Sequence, residues 1–325
     1  MPEVIKPIEA LIAETRNEIK PYVFKRLEER IPRKPGKKIA RTITVTSGKG
    51  GVGKTSLVAN MAICLSQAGQ KVIVLDADLG LANIDVVFGV RPKYSLIDVI
   101  NGDKNIDEIM VQGPRGVQII AGGSGVSELA DIEASKAERL FSQLSFLEDK
   151  ADFLLIDTGA GINSSVLAFC KAADQVIVIT NTEPTSLTDA YGIIKVISGQ
   201  KATTNVSLMV NRVEDDEEGM QVYERLAKVA KDFLDFDVHL MGILPQDRNM
   251  HIAIRQQTPL MIFSPMSPAA KELRQIVSKT IHELPDTSQN IEEENEIDLE
   301  EEENEIHEGF FEKVAKFFRG DRQDD

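Results

Sequence analysis

Residues 48–55 read GKGGVGKT and directly follow Thr42–Ser47, TITVTS, a run rich in β-branched residues. The stretch satisfies G-x-x-x-x-G-K-[ST], the pattern of a phosphate-binding loop set between a strand and a helix. Glycine at 48, 50, 51 and 53 frees the backbone to turn its N–H groups onto phosphate oxygens. Lys54 brings a positive charge to the β- and γ-phosphates, and the Thr55 hydroxyl is a ligand type suited to Mg2+. A helix is expected over Lys54–Ala68, with Val58, Met61, Ala62 and Leu65 at helical spacing and a stop at Gly69. Its dipole adds to the field that favours an anion. The expected cradle is therefore Gly48, Lys49, Gly50, Gly51, Val52, Gly53, Lys54, Thr55 and Ser56.

Outward from the loop, short apolar runs alternate with helical patterns. Strands are expected at 71–75, 117–121, 153–156, 175–180, 206–210 and 238–244, and helices at 134–147, 186–198, 218–234 and 268–283. This alternation predicts an α/β fold, a doubly wound and mostly parallel sheet of the P-loop NTPase kind. Ligands of such sheets sit at the C-terminal ends of the strands. Two strands end there in carboxylates: VIVLDADLGLANID supplies Asp76 and Asp78, and FLLIDTGAG supplies Asp157. A carboxylate in that place can serve Mg2+ or an attacking water, or it can cap a helix.

The paired lysines Lys49 and Lys54, with DADLGLANID and LLIDTGAG, resemble the MinD/ParA family of deviant P-loop ATPases over about residues 41–285. The resemblance implies ATP and Mg2+ as cofactors and a homodimer closed around nucleotide. It gives the position of Lys49 a contact with the nucleotide of the opposite subunit. It assigns Asp78 to the attacking water, and Thr55, Asp76 and Asp157 to the metal. Asn211, Arg212, Pro245 and Asp247 stand where the family holds the adenine. With Lys49, Lys54 and Asp78 as catalytic residues, the implied activity is slow, dimer-coupled ATP hydrolysis. Asn211 can equally be a turn residue at a strand end.

The net charge of −15 is unevenly spread. Residues 286–325 hold 16 acidic and 4 basic side chains, while residues 1–41 hold 11 basic and 6 acidic. Four regions are expected: a basic helical leader and linker (1–40), the ATPase domain (41–285), an acidic linker with EEENEI at 292–297 and again at 301–306, and an amphipathic helix (306–320). The acidic linker is too polar to bury a core and reads as disordered. In the last segment Phe310, Phe311, Val314, Phe317 and Phe318 share a face, with Lys313, Lys316 and Arg319 beside or opposite it. That pattern suits an anionic membrane surface, or a groove on a partner or on the body itself. The long polar linker before it argues against a simple core role.

Cys64 and Cys170 are far apart in apolar helical stretches and are expected to be buried and reduced. No C-x-x-C pair or histidine cluster supports an iron–sulfur or zinc site. No signal peptide and no bilayer-spanning stretch is expected, which places the chain in the cytoplasm, reversibly at the inner face of the cell membrane. IIAGGSGVSEL at 119–129 resembles the flagellar-number branch of the family, although the D-Q-A-x-x-L leader common there is missing from residues 1–40. The expected function is a membrane-associated ATPase switch that positions flagella, or next the division site, with a stimulating protein partner. A nucleoid-binding partition ATPase is the alternative, which a nearly neutral body disfavours because DNA binding calls for a basic surface.

Overall fold

Apolar strands separated by amphipathic helices must be covered on both faces, and this is how the chain folds. The computed structural model describes residues 39–123, 132–199, 205–282 and 309–319. β1 (Arg41–Ser47) runs through the glycine-rich loop into α1 (Lys54–Gln67) and β2 (Val72–Asp76). Short helices α2 (Ile84–Phe88), α3 (Leu96–Asn101) and α4 (Ile106–Ile109) precede β3 (Val111–Gln112) and β4 (Gln118–Ile120). Helix and strand then alternate: α5 (Ala134–Ser145), β5 (Phe153–Ala160), α6 (Ser164–Ala172), β6 (Gln175–Thr180), α7 (Pro184–Ser198), β7 (Asn205–Val213), α8 (Asp216–Leu234) and β8 (His239–Pro245). The remaining helices are α9 (Arg248–Arg255), α10 (Leu260–Phe263), α11 (Pro268–His282) and α12 (Phe310–Arg319).

The strands form one sheet in the order β3-β4-β2-β5-β1-β6-β7-β8. Every neighbouring pair is parallel except β3 and β4. The period-two alternation of the strands splits the core in two. Leu154, Ile156, Val176 and Val178 face the layer of α3 and α5–α8. Phe153, Leu155, Ile177 and Ile179 face that of α1, α2, α10 and α11. β1 lies between β5 and β6, so the loop at its C-terminal end opens beside the ends of both.

The expected fold class and the longer elements are found. The strand expected at 117–121 is β4; the α2–α4, α9 and α10 helices and the two-residue β3 beside β4 are additional, being too short to show a clear period. Residues 1–38, 124–131 and 283–308 lie outside the described residues, so the leader, most of the flagellar-type stretch and the acidic linker do as well. Both cysteines are buried and free. Burial pushes each thiol up to about 12, which makes them inert packing groups. No helix among the described residues is long and apolar enough to cross a membrane.

The tail helix corrects one expectation. Far from avoiding the core, α12 packs across α5 and α6. Phe310, Phe311, Val314, Ala315 and Phe318 are all buried there. Phe318 stacks on Phe141 of α5 and Phe310 on Phe169 of α6, with ring centroids 6.1 Å apart in each pair. Glu148, only 1% exposed, accepts the N–H groups of Phe310 (3.2 Å) and Phe311 (3.0 Å). A carboxylate on the first turn satisfies donors that the helix itself cannot, and it meets the positive end of the dipole. The sequence shows that this helix has an apolar face; it does not show which apolar surface meets it.

Candidate nucleotide-binding site

The loop is held open by positions that tolerate no side chain. Gly51 (φ 79°) and Gly53 (φ 108°) are left-handed, a region costly for any other residue. A Cβ on Gly48 would collide with Asp189 of α7. Lys54 Nζ donates to Ser47 Oγ at 3.0 Å, and Ser47 Oγ donates to the Lys49 carbonyl at 2.8 Å. Burial lowers the Lys54 pKa, while Asp157 and then Asp78 work against that shift. Such an amine, flanked by carboxylates and poorly hydrated, is poised to be neutralised by phosphate oxygens.

The parallel register sets Asp76 opposite Asp157 at the ends of β2 and β5. Their surroundings differ. Asp76 Oδ2 accepts the N–H groups of Asn83 (2.9 Å) and Ile84 (3.0 Å), and Oδ1 accepts that of Asp78 (3.1 Å). It thus caps α2, and burial pushes its pKa up to about 6. Asp157 is 2% exposed and its Oδ1 has no hydrogen-bond partner. Burial and then the neighbouring Asp76 raise its pKa to about 7, against the Thr55 hydroxyl bonded to it and the charge of Lys54. An orphaned, buried carboxylate oxygen beside a threonine hydroxyl fits a hard divalent cation that shares its other ligands with phosphates and water. Asp157 and Thr55 therefore hold the open donor positions, whereas both oxygens of Asp76 already carry backbone bonds. Asp78 Oδ1 accepts Leu81 N–H at 3.0 Å, and the carboxylate lies over Gly159, where a Cβ would be 3.5 Å from its Cγ.

Lys49 is turned to the surface of its own chain. Its Nζ contacts Glu183 Oε2 at 2.6 Å and Thr185 Oγ1 at 3.1 Å, with about half of each charged side chain exposed. Glu183 and Ser47 were not anticipated from the sequence. The available signal was positional: both lie at or just beyond the C-terminal end of a strand beside the loop.

On the other side of the loop, Gly53, Ser56, Asn211, Arg212, Pro245 and Asp247 line one cleft, joined by Met250 and His251 of α9. The sequence did not single out those last two. Within the cleft Asp247 is engaged structurally: its Oδ1 accepts Asn249 N–H (2.8 Å) at the start of α9, and its Oδ2 accepts Ala269 N–H (3.2 Å) at the start of α11. All the expected base-side positions are thus brought together next to the loop.

Comparison with known proteins places the chain in a family. A family model described as an AAA domain matches residues 40–210. The chain is similar to the antiactivator FleN of Pseudomonas aeruginosa, 36% identical over 239 residues, covering 74% of this chain and 85% of that one. It is 35% identical over 243 residues to the flagellum site-determining protein YlxH of Helicobacter pylori, covering 74% and 82%. Among solved structures, the septum site-determining protein MinD of Pyrococcus horikoshii complexed with Mg-ADP superposes with a TM-score of 0.60 at 25% identity, covering 74% and 96%.

Proposed function

Because the chain belongs to the MinD/ParA family of P-loop ATPases, we propose that it is a switch in which ATP-driven dimerisation releases the tail helix to an anionic membrane. It is an ATPase that uses ATP with Mg2+. Relatives carry names of flagellum site-determining and septum site-determining proteins, and the chain positions flagella or the division site. The observation that carries the switch is the state of two groups at once. Lys49 is tied to Glu183 on its own subunit, and the membrane-type face of α12 is packed on α6. α6 begins four residues after β5, the strand that bears Asp157.

In the reaction, the loop N–H groups and Lys54 grip the phosphates. Thr55 and Asp157 would hold Mg2+, which when bound would supply positive charge for the phosphoryl oxygens. Asp78 orients the attacking water, and Lys49 from a second subunit completes the positive surround. The cleft of Asn211, Arg212, Pro245 and Asp247 receives the base. Asp76 supports this set by fixing the loop that carries Asp78.

The apolar face of α12 has one set of side chains and two claimants. Burying a phenylalanine is worth about 2–3 kcal/mol in a protein groove, and lipid offers a comparable gain. A modest change at α6 therefore decides between them. A dimer strengthens the membrane side further, because two weak anchors act together. The near-neutral body and the relatives' names support this reading over a partition ATPase, whose DNA binding would be steeply salt-dependent. A protein that stimulates hydrolysis completes the cycle, and the protein is expected in the cytoplasm and at the inner membrane face by turns.

Asp78→Ala tests the catalytic assignment. It should bind ATP, lose hydrolysis by about a hundredfold or more, and accumulate as dimer in ATP. Single-turnover hydrolysis and sedimentation velocity measure both, and normal turnover in the variant would remove Asp78 from its role.

A further inference from the structure

Asn211 sits at the C-terminal end of β7, paired in register with Leu244 of β8. Its side chain is fixed at both ends. Nδ2 donates to the carbonyl of Val52, within the glycine-rich loop, at 2.8 Å. Oδ1 accepts the N–H of Arg212 at 2.9 Å, a bond made by the left-handed Arg212 (φ 59°). The amide also lies against the loop: a Cβ placed on Gly53 would be 2.5 Å from Nδ2. Since a carbonyl can only accept, the nitrogen must be the atom that faces Val52, and the network fixes the amide's orientation.

We propose that Asn211 is a positioning residue for the phosphate loop, beyond any contact it makes with the base. This role rests on GKGGVGKT being the phosphate site. A trans peptide points its carbonyl and its N–H in opposite directions. Pinning the Val52 carbonyl on Asn211 therefore aims the Gly53 N–H away from the base cleft, to the side of the loop where phosphates bind. Gly53 itself is left-handed and has no side chain to hold that plane, so the restraint must come from outside the loop. The second proton of Nδ2 remains for the base. One amide then joins the two halves of the nucleotide site, so a base in the cleft and an ordered loop favour each other.

Inorganic tripolyphosphate with Mg2+ separates positioning from base reading, because it has phosphates and no base. Asn211→Ala is expected to weaken tripolyphosphate and ATP by a similar factor, about tenfold, which is the scale of one buried hydrogen bond. It should also lower kcat, since the loop donors act in the transition state, and not only raise KM. In the nucleotide-free protein the Gly53 and Lys54 amides should exchange with solvent about tenfold faster than in wild type. Asn211→Asp keeps the acceptor for Arg212 and loses the donor, so it should show the same faster exchange if the alanine variant folds poorly. Loss of ATP affinity with tripolyphosphate affinity and amide exchange unchanged would overturn the proposal and leave Asn211 as a base reader. If wild type bound ATP but not tripolyphosphate, the exchange rates alone would decide. A wild-type protein that bound neither would instead contradict the phosphate-site reading itself.

Discussion

Lys49→Ala will bind ATP and stay monomeric. The substitution removes no contact from the core: Lys49 is half exposed, and its partners Glu183 and Thr185 lie on the surface. Exposed ion pairs contribute little to folding, so the melting temperature should be unchanged. Lys54, Thr55 and the loop backbone are untouched, so affinity for ATP should stay within a few-fold of wild type. In the proposed dimer, what is lost is the charge that each subunit lends to the other. A cation supplied in trans to a transferring phosphoryl group is worth orders of magnitude in rate, and hydrolysis should fall by about a hundredfold or more. Sedimentation velocity with ATP gives the oligomeric state, and phosphate release gives the rate. A normal ATP-dependent dimer in this variant would show that Lys49 does not work across an interface.

The second large effect concerns the tail. Phe311 and Phe318 are at most 8% exposed against α5 and α6, and both belong to the face assigned to lipid. Phe311→Asp with Phe318→Asp should abolish vesicle binding in every nucleotide state. Glu148→Ala acts in the opposite direction. It leaves the N–H groups of Phe310 and Phe311 without their buried acceptor, which weakens docking and leaves the membrane face intact. The variant should bind anionic vesicles without ATP, about tenfold better than wild type. Co-sedimentation with vesicles rich in anionic lipid measures both. If Glu148→Ala bound no more than wild type without nucleotide, docking of α12 would not be what restrains the anchor.

These two regions were legible in the sequence to different degrees. The loop was clear because its chemistry is local: glycines, a lysine and a threonine at fixed spacing between strand and helix leave few alternatives. The alternation that predicted the sheet was equally plain, since each strand must bury side chains on both faces. The roles of the acidic residues were less so. Asp76 and Asp157 both end strands, yet one accepts three backbone N–H groups and the other keeps an oxygen without a partner. That distinction depends on how residues 77–84 turn back, which no spacing rule contains. The tail helix shows the same limit. Its periodicity revealed an apolar face, while the surface that covers it is assembled from Phe141, Glu148 and Phe169, more than 140 residues away in the chain. Asn211 was found as a base-side residue by resemblance, and its bond to Val52 came only with the structure.

In the proposed switch, nucleotide decides whether the tail helix lies on the body or on a membrane. Co-sedimentation of the full chain with anionic vesicles, in ATP and in ADP, beside a chain ending at residue 305, measures that choice. The full chain should pellet at least about tenfold more in ATP than in ADP, and the shortened chain should pellet in neither. Equal pelleting in the two nucleotides, or vesicle binding that survives the loss of residues 306–325, would contradict it.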